Sequence, residues 1–238
     1  MNRRITPLIP ALLLATLAGG AQAHQVWIEA SGNQARLHFG EYADNLRETS
    51  PGLLDKFDGV PVLEQRAGGQ TQRVQGQRTA SAFTYALPAA ADTLVTEAPY
   101  PLIDRSKNNN QAALLWRPAA RWVASLNQAV APTAALDVVP TGKPGELRVT
   151  YNGAPLPKTK VTLVSPSGWS REAATGADGA VQFALPWKGQ YVAEVHHKDA
   201  TPGERAGQKY GESSFVTTLS FVQATGVESP ALPAAPAK

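Results

Sequence analysis

The sequence predicts an all-β protein: two β-sandwich domains behind a secretory signal peptide. Three observations carry this. Short alternating runs recur between turn residues, glycine (20) and proline (19) are frequent, and helical periodicity is scarce.

The elements follow in order. Arg3 and Arg4 precede the apolar run "PLIPALLLATLAGG", and Ala21 and Ala23 give the small-x-small pattern of a signal-peptidase site, so residues 1–23 read as a cleaved signal peptide. The run is shorter than the ~20 apolar residues a membrane span needs. Cleavage after Ala23 makes His24 the first residue of the exported chain; cleavage after Ala21 is the competing register. Next come the strand-like segments "QVWIEA" and "QARLHFG", joined by the turn "SGNQ" and read as a hairpin. The stretch "SPGLLDKF" reads as a short helix, with Ser50 as cap, Pro51 in the first turn, and Leu53, Leu54 and Phe57 on one face. "TQRVQG", "SAFTYALP", "ELRVTYNG", "KVTLVSP", "AVQFALP", "QYVAEVHH" and "FVTTLSFV" are further strands, and Asp178-Gly179 between alternating runs is a hairpin cue. "RSKNNNQ" reads as an exposed loop. The expected organisation is a domain over 24–133, a second over 134–222, and a disordered Ala/Pro-rich tail over 223–238.

Composition removes several function classes. Cysteine is absent, which excludes a lipoprotein, disulfides, zinc–thiolate sites and cysteine nucleophiles. Residues 1–23 hold two arginines and no acid, so their removal lowers the formal charge of +3 by two and leaves no nucleic-acid footprint. No second apolar run of membrane length follows, so the mature form is expected to have no membrane span. No phosphate loop, nucleophile elbow or defensible carboxylate pair is present, and the chain is not expected to be an enzyme. The five tryptophans are core and rim residues or, in part, a sugar platform.

The four histidines, His24, His38, His196 and His197, carry the sharpest chemistry. Without cysteine, imidazole is the best remaining ligand for nickel, cobalt or copper. A free N-terminal His24 offers an amine and a ring nitrogen, and a second imidazole from His38 would complete a three-nitrogen histidine brace. By alternation His38 lies on the polar side of its strand, either as a ligand or as a solvated residue. Glu41 and Tyr42 follow it and offer oxygen. His197 sits at a strand end and is either half-buried or a supporting ligand. The expected metal set is therefore His24, His38, Glu41 and His197.

Two resemblances add to this. Gly153, Pro155, Leu156, Val161, Gly179, Phe183, Gly189 and Tyr191 resemble the signature of the carboxypeptidase-regulatory or transthyretin-like sandwiches, over about residues 145–197. That resemblance implies a fold of immunoglobulin or transthyretin type and no activity. "AHQVWIEA", "LHFGEYADNLRETSPGLL", "LDVVP", "HHKDATPGERAGQKYGESS" and "TTLSFV" occur in that order and resemble the periplasmic, DUF4198-like family of unknown function associated with nickel uptake. It implies metal handling in the bacterial envelope beside an outer-membrane receptor or a metal transporter component. The expected function is periplasmic binding of nickel, cobalt or copper. The alternatives are a metal-free sandwich that binds an envelope protein or glycan, and, below it, an oxidative copper enzyme.

Overall fold

The computed structural model describes residues 24–107 and 111–236. The signal-peptide reading of residues 1–23 and Asn108–Asn110 of the expected loop lie outside the described residues. The described chain is all-β. Its strands begin with β1 Gln25–Ser31, β2 Gln34–Glu41, β3 Leu46–Arg47, β4 Leu63–Ala67, β5 Gln70–Val74, β6 Gln77–Arg78, β7 Phe83–Ala86, β8 Thr93–Glu97 and β9 Leu114–Val123. They continue with β10 Leu136–Pro140, β11 Glu146–Tyr151, β12 Ala154–Pro155, β13 Lys160–Val164, β14 Ser170–Ala174, β15 Ala180–Gln182, β16 Gly189–Asp199, β17 Gly203–Arg205, β18 Gln208–Tyr210 and β19 Glu212–Gln223.

A central sheet runs β14-β13-β16-β19-β9-β8-β4-β5. A first outer sheet runs β1-β2-β7-β6 with β3 beside β2, and a second runs β10-β11-β12 with β15 beside β11. The β9–β19 pair at the middle of the central sheet is parallel, from Leu114 opposite Glu212 to Val123 opposite Phe221. Thus β9 and β19 join across the boundary the sequence suggests near residue 133, and the two sandwiches share one sheet.

Alternation along β19 shows how the layers stack. Thr218 Oγ1 donates to the Val26 carbonyl in the first outer sheet, while Thr217 Oγ1 donates to the Leu136 carbonyl in the second. Val216 joins the core with Val26, Ile28, Leu37 and Leu94; Phe215, Leu219 and Phe221 join the core with Leu136, Val149 and Leu163. Successive residues point to opposite faces, so the outer sheets cover opposite faces of the central one. This is why "FVTTLSFV" is buried almost throughout, the pattern of a strand covered on both sides. Fully buried Phe83, Leu94 and Leu219 each contribute about 1.5–3 kcal/mol by leaving water.

Several local expectations are corrected. The expected helix is a single 3-10 turn, Leu53–Lys56. Gly52, not Ser50, precedes it, and Asp55 accepts from the Gly52 N–H (2.9 Å) and from Ser50 Oγ (2.7 Å). Phe57 is already extended, and Asp58-Gly59-Val60-Pro61 follow, so nothing propagates the turn. Leu54 and Phe57 are buried while Leu53 is exposed. Gly179 does make a tight turn, at φ 75°, but the flanking strands do not form a hairpin: β14 stays in the central sheet and β15 crosses to pair with β11. The Ala/Pro-rich tail, expected to be disordered, makes specific contacts: Val227 N–H donates to the Pro186 carbonyl (2.9 Å), Lys188 N–H to the Val227 carbonyl (2.8 Å), and Asn45 Nδ2 to the Pro233 carbonyl (3.0 Å).

Candidate metal centre

The β1–β2 hairpin forms as expected and fixes the geometry of the site. Its register sets Gln25 opposite Gly40 and Trp27 opposite His38, which carries His24 opposite Glu41. Alternation then puts His24, Val26 and Ile28 on one face with Leu37, Phe39 and Glu41. Val26, Ile28, Leu37 and Phe39 are core, so His24 and Glu41 sit at the rim of that core. The His24 ring rests edge-on against Phe39, with centroids 5.1 Å apart.

Both ring nitrogens of His24 face carboxylates. Nδ1 lies 3.3 Å from Glu41 Oε1, and Nε2 lies 2.7 Å from Glu48 Oε1. A neutral imidazole has one N–H, so it can donate to only one of them; the other contact needs a second proton or a cation in its place. Glu48 reaches the ring because the chain doubles back after β2. Its N–H donates to the Phe39 carbonyl (2.8 Å), and Asn45 takes a left-handed conformation at φ 53°. Gly40 is required here: at φ 144° a Cβ would stand 2.2 Å from the Leu46 carbonyl oxygen.

Further acids crowd the same rim. The Glu41 carboxyl is pushed above its ordinary range by burial first, then by its hydrogen bond to Asp44; the charges of Asp44 and Glu194 add to this, and that of His24 opposes it. Glu194 comes from β16 on the central sheet and contacts His196 Nε2. With its amide oriented to satisfy both ends, Gln25 donates to Glu194 and accepts the Tyr42 N–H (3.3 Å).

The other expected ligands lie elsewhere. His38 is on the opposite face of the hairpin from His24, because His24 shares its face with Glu41 and Phe39 whereas His38 lies opposite Trp27. His38 is buried, 5% exposed, and stacks on Trp27 at 5.3 Å. Its Nδ1 faces the Ser81 carbonyl at 3.3 Å, and its Nε2 lies 3.5 Å from Glu29 Oε2. The side expected to be solvated is covered because Trp27 and Tyr42 pack on Val164 and Val192 of the central sheet. His197 packs on Tyr151, with ring centroids 4.3 Å apart. By alternation it shares the β16 face of Tyr191 and Val195, which is turned to the second outer sheet and away from His24. A brace of His24 with His38 therefore does not form.

Glu48, Asp44 and Glu194 escaped the sequence reading. The turn signal in "EYADNLRE" was the available clue to Glu48: Gly40 and Asn45 reverse the chain and bring it beside the hairpin. Among the described residues no group of three or more His, Cys, Asp or Glu side chains is arranged to hold a metal ion. The reason is visible at His24, whose two carboxylate neighbours lie on opposite edges of one ring. Among the described residues, no helix is long and apolar enough to cross a membrane.

A family model described as "Domain of unknown function (DUF4198)" matches residues 121–199. The matched segment runs from the end of β9 to the end of β16, so it covers much of the second sandwich but neither β19 nor His24. No curated protein matches the chain.

Proposed function

We propose that the chain is exported to the bacterial periplasm and binds one divalent transition metal ion, nickel, cobalt or copper, as cargo for an outer-membrane receptor or a transporter component. The observation that carries this reading is the position of His24, with Nδ1 toward Glu41 and Nε2 held by Glu48. Cleavage after Ala23 would free the His24 amine, which chelates together with Nδ1 in a six-membered ring. The Glu41 carboxylate then supplies the third donor on the same side. Glu48, on the far nitrogen, orients the ring, as carboxylates behind metal-bound histidines do. Two nitrogens and a carboxylate oxygen suit these ions, copper most strongly by intrinsic affinity. The crowding of Asp44 and Glu194 around Glu41 favours a bound cation further. In place of the expected three-nitrogen brace, the set is amine, imidazole and carboxylate, and neither His38 nor His197 has a part in it. We read the second sandwich as a transthyretin-like scaffold that presents β16 and β19 to the first outer sheet. Tyr191 supports that reading: its hydroxyl accepts the Trp187 N–H (3.0 Å) and donates to the Trp187 carbonyl (3.1 Å), as in tyrosine corners.

Calorimetry with Ni(II), Co(II) and Cu(II) tests the site. A chain beginning at His24 should bind one ion. A residue added before His24, or Glu41→Gln, should weaken binding at least tenfold, and Glu48→Gln by about 10–100-fold. His38→Ala should bind like the parent. Affinity should fall steadily as the solution is made acidic, because the amine and the ring must both be free of the competing proton to bind the ion. N-terminal sequencing of the exported protein should begin His-Gln-Val. Equal binding by all variants, or none at micromolar metal, would leave the metal-free interaction module; the lack of a three-side-chain ligand group among the described residues favours that second reading.

A further inference from the structure

Away from the His24 rim, the outermost strand of the central sheet carries an independent feature. β14 is paired on one side only, with β13, from Lys160 opposite Ala174 to Val164 opposite Ser170. The two strands are joined by a tight, fully bonded turn: Gly168 N–H donates to the Ser165 carbonyl (3.0 Å), and Ser165 N–H to the Trp169 carbonyl (2.8 Å). Gly168, at φ 84°, makes this a three-residue hairpin with a bulge. The pattern fixes the ladder beyond it. Arg171 and Ala173 bond to β13, and Ser170, Glu172 and Ala174 turn their N–H and C=O groups to the free side.

The side chains beside this free edge are unusual for a surface. Trp169 is 74% exposed although the turn beneath it is hydrogen-bonded. Between it and the segment leading to β16 lies a cavity of about 290 Å³, lined by Leu163, Trp169, Arg171, Pro186, Trp187 and Tyr191. The Trp187 backbone is held by its two bonds to the Tyr191 hydroxyl. The Arg171 guanidinium has no ion pair or hydrogen-bond partner among the described residues. The chain's own tail already occupies the backbone of Pro186 and Lys188 through Val227, which leaves β14 as the open edge here.

We propose that β14 is a docking edge for an extended, acidic segment of a partner protein. The segment adds to the central sheet as a further strand. One large apolar side chain seats between Trp169 and Trp187, and a carboxylate pairs with Arg171. Edge N–H and C=O groups supply affinity and the cavity supplies selectivity, as in other strand additions. The cavity has room for one side chain, at the lower limit of the ~300–1,000 Å³ typical of drug-sized ligands. An exposed tryptophan beside an unpaired guanidinium is the composition of interface anchors.

The test is an array of synthetic ten-residue peptides that vary acidic and apolar positions, probed with the chain starting at His24 and with W169A, R171E and E172P. Proline at position 172 removes an outward N–H and keeps the backbone ladder to β13, though it also loses the Glu172 side-chain bonds to Lys160 and Thr162; melting curves check that each variant stays folded. The expected result is binding of peptides that pair an acid with a bulky apolar residue, weakened tenfold or more by each substitution. Hydrogen exchange at Ser170, Glu172 and Ala174 should slow when the best peptide is bound. The proposal is overturned if no peptide binds, or if E172P binds as well as the parent. It is also overturned if soluble oligosaccharides bind instead in a Trp169-dependent way, or if the edge is found paired to a second copy in a dimer that E172P dissociates.

Discussion

Glu29 is a residue whose environment strongly changes its chemistry. Burial alone would push its carboxyl up, but the bonds and charges of His38, Trp27 and Arg47 outweigh that and hold it at about 2, against an ordinary 4.5. Trp27 Nε1 donates at 3.1 Å and Arg47 Nη2 at 2.8 Å. Because the folded value is depressed, the stability Glu29 adds is complete above pH ~4.5 and is lost as pH falls toward ~2, at most about 3 kcal/mol. Glu29→Gln should therefore flatten the dependence of the urea midpoint on pH between 4.5 and 2, while the parent falls. The same neighbourhood shows what could be read in the sequence. Alternation placed Arg36 and His38 together, away from Leu37 and Phe39, and the register bears this out. Alternation cannot say that Trp27 and Tyr42 would press that second face onto Val164 and Val192 and bury His38. His24 and Glu41 were legible because a short hairpin sets one opposite the other. Glu48 and Glu194 were not, since a chain reversal and a strand more than 150 residues away bring them in.

Among the elements that strand alternation did not reveal, which include β4, β8, β10 and β14, β9 shows the clearest reason. "LLWRPAARWV" carries a proline in its middle, which argues against a central strand. Pro118 is tolerated because the pairing of β8 ends at Glu97 opposite Ala119, and Ala98 N–H then donates to the Pro118 carbonyl at 2.8 Å. Three residues later the strand buries a charge. Arg121 meets Asp137 of β10 through two bonds, 3.0 Å from Nε and 2.6 Å from Nη2, with both side chains essentially without exposure. Asp137 also accepts the N–H groups of Thr133 (2.7 Å) and Ala134 (3.0 Å), so it shapes the crossover between the sandwiches. Asp137→Ala should cost about 3–5 kcal/mol in urea unfolding, because it leaves a buried guanidinium unpaired. Replacing the pair by methionine and leucine should cost less, but not nothing, since two backbone donors still lose their acceptor.

At the scale of the molecule, the two sandwiches share the sheet that separates their cores. Remove β19 and the first outer sheet loses Val216 and the Thr218 bond, while the second loses Phe215, Leu219 and Phe221. Residues 24–133 and 134–222 expressed apart should each fail to give a cooperative melt, and the joined chain should unfold in a single transition by calorimetry. Two independent transitions, or a folded 134–222 fragment, would argue for separable units. The sandwich pattern was visible from strand alternation alone. The shared sheet was not, because parallel pairing between β9 and β19 leaves no local turn signal.

That parallel pair also sets an order in time. Val26, two residues after His24, is bonded to Thr218, and each β9 residue waits for a partner 98 residues further on. Neither core can close until the last strand has arrived. Contacts this distant make for slow folding, so a chain synthesised and passed through a membrane from its N-terminus would stay unfolded, and threadable, until nearly all of it had crossed.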